Sequence, residues 1–333
     1  MSAHPGGAPL SPPSPLTGVV LLNMGGPDSL SAIRPFLARL LSDRELIRLP
    51  LAPLTQPLFA WIVSRVRARK VRKYYEEIGG GSPLAMLTGK QRDALEAALR
   101  ETGGNFRVYV GMRYWHPLAK HAVLEMKDDG VARGIALPLY PHYCAATTGS
   151  SLSDLRRWMR WAGADFPMAE VRSFPDDAGY LAALCGQIEE TIQGQSAGGT
   201  HLLFSAHGVP KSFIDGGDPY QAETEKTVAA VMERFPGISH SISYQSRMGR
   251  TEWLKPDTVE EVIRLGREGV RTLVVVPVSF VSDHIETLHE LDIRLRETAR
   301  EAGIAAFLRV PALNDSPAFI RALRDIVLSA AGR

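Results

Sequence analysis

Short apolar runs alternate with stretches of helical periodicity along this chain, and that alternation constrains the fold more than any other feature. The clearest runs are residues 19–22, 106–110, 135–139, 201–204, 238–244 and 273–278. Helical patterns lie between them, at 89–100, 118–129, 179–193, 221–235 and 258–269. Strands joined by helical crossovers imply parallel sheets with helices on both faces. A faint internal repeat refines this. Residues 17–27 (TGVVLLNMGGP) align without gaps on 200–210 (THLLFSAHGVP), which sets Met24 opposite His207. Residues 130–139 (GVARGIALPL) align on 269–278 (GVRTLVVVPV), and continuing that offset sets Thr147 opposite Glu286. The expectation is an α/β chain of two similar Rossmann-like domains, with parallel sheets flanked by helices and a cleft between them. Ligands of such sheets bind beyond the carboxyl ends of the strands. The divisions expected are a disordered Pro/Gly/Ser-rich tail over 1–16, a first domain over 17–175 and a second over 176–333, with the last helix free to pack back on the first.

At 333 residues the chain can bury ample core. A formal charge of +2 leaves no electrostatic footprint for nucleic acid. Two cysteines cannot build a disulfide framework or a four-thiolate cluster, so a reducing, cytoplasmic setting is expected. The first 16 residues lack the basic start and apolar core of a signal peptide, and no apolar run approaches the roughly 18 residues that span a bilayer.

Protonatable groups concentrate at 282–292 (SDHIETLHELD), directly after the apolar run TLVVVPVSF. If the helix starts at Asp283, then Asp283, Glu286 and Glu290 share a stripe at i, i+3 and i+7. Like charges so placed repel unless protons or cations occupy them. The plainer reading is a solvated helix face, which His289 and Asp292 suit. His207 (SAHGVP) ends another strand, with Gly208 allowing close approach of backbone or ligand. His207 and Glu286 at strand ends of one half-domain suit a divalent ion such as ferrous iron, or the removal of protons from nitrogen.

Aromatic and polar groups close other strands: Arg113, Tyr114 and Trp115; Tyr140 and Tyr143; Tyr244 to Arg247, with Trp253; and Phe280. As a set they favour a broad, flat, apolar ligand over core packing alone. Gly79-Gly80-Gly81 lacks the lysine and spacing of a phosphate loop and reads as a tight turn. After Pro57 a short helix carries Leu58, Phe59, Trp61, Ile62 and Val63, followed by a basic run from Arg65 to Lys73. That sequence of faces suits a membrane surface or an amphiphilic ligand, or simply a helix with a solvated basic side.

From Gly18 to the C-terminus the chain resembles the ferrochelatases, which insert ferrous iron into a porphyrin as the last step of haem synthesis. The motifs that carry the resemblance are LLNMGGPDSL, IGGGSPL, MRYWHP, TTGSS, FSAHGVP, YQSRMGRTEWL and FVSDHIETLHELD. The resemblance implies that His207 accepts pyrrole protons or binds iron, with Glu286 opposite it. It makes Asp283 and His284 a hydrogen-bonded pair beside Glu286, and Glu290 the next carboxylate on a proton or metal path. It places Met24, Arg113, Tyr114, Tyr140, Trp253 and Phe280 around the macrocycle, and makes Leu58 to Val63 a pocket lip that touches membrane. Two departures stand out. Glu76 and Glu77 occupy the place where several relatives carry a basic residue before Ile-Gly-Gly, leaving Arg72, Lys73 or Arg113 for the propionates. The chain also lacks a Cys-rich tail, and Ala145 stands beside Cys144 where cluster-bearing forms have cysteine, so no iron–sulfur cluster and no permanently bound cofactor is expected.

The activity implied is insertion of Fe2+ into protoporphyrin IX with release of two protons. The alternatives are a coproporphyrin ferrochelatase, a cobalt or nickel chelatase of the same fold, or a non-catalytic porphyrin carrier, which needs no acidic stripe. Protoporphyrin IX and ferrous iron are the partners expected, with a peripheral contact at the inner face of a membrane.

Overall fold

The computed structural model describes residues 14–47, 51–196, 199–247, 249 and 251–332; most of the expected N-terminal tail lies outside them. Among the described residues, eight strands form two four-stranded parallel sheets. The first contains β1 (Thr17–Asn23), β2 (Phe106–Met112), β3 (Arg133–Pro138) and β4 (Met168–Glu170), in the order β2-β1-β3-β4. The second contains β5 (Thr200–His207), β6 (Ser239–Gln245), β7 (Thr272–Pro277) and β8 (Ala306–Arg309), in the order β6-β5-β7-β8. The two orders are the same, and the internal repeat holds to the residue. Leu22 pairs with Pro138 and Ser205 with Pro277, the partners that the two alignments predict. Leu139 N–H donates to Leu22 O at 2.8 Å, and its equivalent Val278 donates to Ser205 O at 3.1 Å.

Along each central strand, alternate side chains enter different cores. Val19 and Leu21 join Leu202, Phe204, Val274 and Val276 in one core common to both sheets. Val20 and Leu22 face the outer core of the first sheet, and Leu203, Leu273 and Val275 that of the second. Helices α3 (Leu84–Arg100), α6 (Ala178–Ile192) and α11 (Pro317–Ala330) contribute to the common core, so each sheet is buried on both faces as parallel sheets require. The last helix α11 packs on α3 as well as on α6. β4 and β8 escape the hydropathy pattern because they are short and half exposed.

The turn expected at the glycine run is present. Gly79 and Gly80 take φ of 102° and 92°, a region that residues with a Cβ rarely adopt. Ser82 N–H then donates to Pro27 O at 2.7 Å, and a Cβ on Gly26 would lie 2.6 Å from Ser82 Oγ. The two glycine motifs are thus pressed together. The segment before this turn departs from expectation. In place of a short helix followed by a basic run there is one helix, α2 (Ala52–Glu77), which contains both. Pro57 lies early enough in α2 to disturb only its opening turns.

Candidate active site

The site gathers at the carboxyl ends of β5, β6 and β7, and the sheet order explains why. His207 is the last residue of β5, Gln245 and Ser246 leave the neighbouring β6, and 278–286 leave β7 on the other side. The His207 ring is 37% exposed at the cleft, and its Nδ1 lies 2.7 Å from Glu286 Oε2. Its backbone is fixed from two sides. His207 N–H donates to Ser279 Oγ at 2.8 Å, and Tyr220 OH donates to His207 O at 2.9 Å. Phe280 stands edge-on to His207 with ring centres 6.2 Å apart, and 4.6 Å from His284. Trp253 lies along the Gly208 backbone, where a Cβ would meet its ring at 3.3 Å and Gln245 O at 2.7 Å.

Glu286 opens a π-helical stretch, Glu286–Leu295, whose i→i+5 bonding widens the turn. Glu286 and Glu290 converge on Ser246, whose hydroxyl donates to Glu290 Oε2 at 2.6 Å and lies 3.3 Å from Glu286 Oε2. Gln245 Nε2 adds bonds to Glu286 O at 3.1 Å and Glu290 Oε2 at 3.3 Å, and is itself oriented by Ser205 Oγ on its Oε1 at 2.8 Å. Ser246 holds this position at φ 66°, a strained value for a side-chain-bearing residue. Sequence reasoning named Gln245 and Ser246 only as strand-end residues. Their place directly after the strand beside His207 was the signal for their grip on the acids.

Charge and burial set the protonation states. Burial opposes charging of His207, but the adjoining Glu286 carboxylate, its hydrogen bond and Glu290 behind it hold the imidazole above its ordinary value. Burial would raise Glu286, yet the charge and hydrogen bond of His207 keep it well below the usual carboxylate range. Glu290 is pushed up, first by burial and then by the charge on Glu286. The pair of acids therefore divides into one that stays ionised and one that holds a proton more readily. Burial lowers His284, so its ring is neutral at pH 7.

Two expectations about this segment fail. Asp283 does not belong to a common acid stripe, because the helix starts after it. Its carboxylate accepts from Arg309 Nη1 at 2.8 Å, Asn314 Nδ2 at 2.9 Å and Thr287 Oγ1 at 2.9 Å, which relieves the repulsion that a stripe would create. Nor do Asp283 and His284 hydrogen-bond one another: His284 Nδ1 lies 3.0 Å from Ser282 O. His289 was expected at the surface and is buried, whereas Asp292 is a partly exposed partner of Arg309.

The first half contributes a different surface. Met24 packs against a buried cluster that includes Tyr75 and Tyr114, and Ile285 of the acid segment packs against the same cluster. Tyr114 is buried, and its hydroxyl donates to Asp43 Oδ2 at 2.6 Å. Arg113 is bound by Asp43 at 2.9 Å and Ser150 at 2.7 Å, with Asp154 3.8 Å away. Tyr140, after β3, buries its hydroxyl beside Ser151. The halves are tied across the cleft by Gln91 Nε2, which donates to Ser282 Oγ at 3.0 Å and Asn314 O at 2.8 Å. Asp218 and Glu223 supply further ties, to the Ala145 and Tyr143 backbone N–H groups.

The second of two like parallel sheets carries a histidine–carboxylate pair at its strand ends. The fold is similar to that of SirB from Bacillus subtilis, solved with Fe3+, at a TM-score of 0.56 and 11% identity over 95% of each chain. It is also similar to a multi-domain Deinococcus radiodurans protein described as having structural similarity to chelatases, at a TM-score of 0.52 and 16% identity over 96% of this chain and 56% of that one. The family is shown by sequence. The ferrochelatase family model matches residues 16–331. The ferrochelatase of Geotalea uraniireducens is 49% identical over 312 residues, 93% of this chain and 97% of that one. That of Gloeobacter violaceus is 46% identical over 320 residues, 95% of this chain and 98% of that one. The chain belongs to the ferrochelatase family, lyases of haem synthesis that insert iron into a porphyrin.

Proposed function

We propose that the enzyme inserts Fe2+ into protoporphyrin IX, with His207 taking pyrrole protons and Glu286 and Glu290 handling iron and proton traffic. Metallation removes two N–H protons for each Fe2+ bound and strips water from the ion. The observation that carries the assignment of roles is the 2.7 Å contact between His207 and Glu286 at neighbouring strand ends. A base beside a carboxylate that stays ionised can pass a proton on and return to its accepting state. Glu290, shared with Glu286 through Ser246, is the next acceptor outward. Phe280, Trp253 and Met24 would hold the macrocycle, with Arg113, Tyr114 and Tyr140 supporting its wall. Asp283 anchors the start of the acid segment through Arg309, and neutral His284 backs Phe280.

Protoporphyrin is favoured over coproporphyrin, which has two more carboxylates, because the three cations named for the propionates each have an acidic partner. Arg72 binds Glu76 at 2.9 Å, Lys73 lies 3.7 Å from Glu77, and Arg113 binds Asp43. The exposed Leu54, Leu58, Trp61, Ile62 and Val66 on α2 favour a less polar substrate and a peripheral membrane contact. No described helix is long and apolar enough to cross a membrane. Neither reading requires a resident cofactor, and the two repeats, divided near residue 175, act as the two walls of the cleft. The test is anaerobic metallation with ferrous iron, run in parallel on protoporphyrin and coproporphyrin. Wild-type protein should prefer protoporphyrin. His207→Ala should lose metallation while still binding porphyrin, and near-normal turnover by that variant overturns the role given to His207.

A further inference from the structure

His289 is buried, is not needed in the reaction as described, and connects two parts of the molecule that are far apart in sequence. Its Nε2 lies 2.8 Å from Glu77 Oε2; a carboxylate only accepts, so the imidazole proton sits on Nε2. The ring also stacks on Tyr74 with centres 4.2 Å apart. Tyr74 and Glu77 belong to the last turn of α2. Beside them, Tyr75 belongs to the buried cluster against which Ile78 and Ile285 pack, and burial together with the charge on Glu286 pushes the Tyr75 hydroxyl up. The end of α2 therefore grips the acid segment on both sides of Glu286, at 285 and at 289. The other end of the same helix carries the exposed apolar face. A helix of 26 residues is a rod about 39 Å long.

We infer that Glu77 and His289 are a positioning pair, which fastens the lip helix to the acid-bearing segment and keeps Glu286 and Glu290 in place relative to His207. The pair also explains the unusual Glu77 before the glycine turn, since its carboxylate has a buried partner. The inference rests on the roles given above to Glu286 and Glu290.

The test compares Glu77→Ala, Glu77→Gln, His289→Phe and the Glu77→Ala/His289→Phe double variant in the full chain, using anaerobic ferrous iron and protoporphyrin. His289→Phe keeps the stack on Tyr74 and removes only the hydrogen bond, whereas Glu77→Gln keeps an acceptor. Glu77→Ala and His289→Phe are each expected to lower kcat about tenfold with the porphyrin KM little changed, and the double variant to be no worse than either single one. Glu77→Gln should restore most of the rate. Amide exchange over 284–295 should quicken in His289→Phe and stay slow in Glu77→Gln. Additive losses, or a lower Tm with unchanged kcat and unchanged exchange, would reduce the pair to an ordinary scaffold contact. If Glu77→Ala does not fold, His289→Phe against Glu77→Gln still decides. Failure of the underlying reading is distinguishable, because it appears in the wild type or in His207→Ala.

Discussion

Glu286 governs how His207 can work. With the carboxylate in contact, the imidazole is held above its ordinary value of 6.5, so the free base forms only as pH rises through that elevated value. Metallation should therefore climb with pH along an acid limb set by His207. Glu286→Gln removes the charge and leaves the burial, so the limb should move to lower pH by about one unit or more, whatever the remaining rate. A pH–rate profile of the variant checks this, and a limb that stays in place or moves upward shows that another group titrates. The pair also stabilises the fold over a defined window. Its contribution is complete between the unfolded carboxylate and imidazole values of 4.5 and 6.5. It fades as pH falls through the depressed value of Glu286 or rises through the elevated value of His207. His207 and Glu286 were legible in the sequence because strand ends are legible. Ser246 was legible only as a strand-end residue, since serine gives little sign of a backbone at positive φ, and Asn314 was not, since its partner Asp283 is brought to it only by folding. His289 was misplaced because its cover is a helix 212 residues away, which local periodicity does not report.

At the level of elements, the acid segment works as a unit anchored at its start. Arg309 binds Asp283 and Asp292 at 2.8 Å each, and its side chain is only 10% exposed. Arg309→Met would leave Asp283 without its cation and Asp292 with only Arg296 at 3.6 Å, at a cost of about 3 kcal/mol for the largely buried Arg309–Asp283 pair. Denaturant unfolding should show that loss. Turnover should fall further than stability alone explains, since the segment that holds Glu286 loses its anchor. A loss under about 1 kcal/mol would mean that Asn314 and Thr287 suffice as partners. The strands and most helices followed from hydropathy, but the wide turn did not, because i→i+5 bonding has no residue signature. The unity of α2 was likewise hidden. Its apolar and basic parts look like separate pieces until one backbone is seen to run through both.

The molecule as a whole has one core between its sheets, closed by its last helix. Phe319, Ile320, Leu323, Ile326 and Val327 on α11 are buried there. At about 1.5–3 kcal/mol for each side chain, their removal would exceed the usual margin of a folded protein. A chain ending at Ser316 should accordingly lose cooperative unfolding in calorimetry, and retention of a sharp transition would show that the halves stand independently. The lip belongs to this scale too. Trp61→Ser with Ile62→Ser should weaken sedimentation with phospholipid vesicles and leave Tm unchanged, because both side chains are already half exposed. Equal sedimentation by wild type and variant would remove the membrane contact. The repeat, the sheets and the cleft were read from sequence, because duplicated strands keep their apolar alternation. The ties between halves were not, since Gln91, Asp218 and Glu223 are ordinary polar residues until folding brings a partner to each.

The wide turn after β7 has a counterpart after β3. Residues Ala145–Gly149 are also π-helical, with Thr147 where the second half has Glu286. The turn thus occurs with and without a carboxylate, so the backbone widening does not depend on the acid side chains. In the first half it carries Thr147, and in the second it carries Glu286 and Glu290.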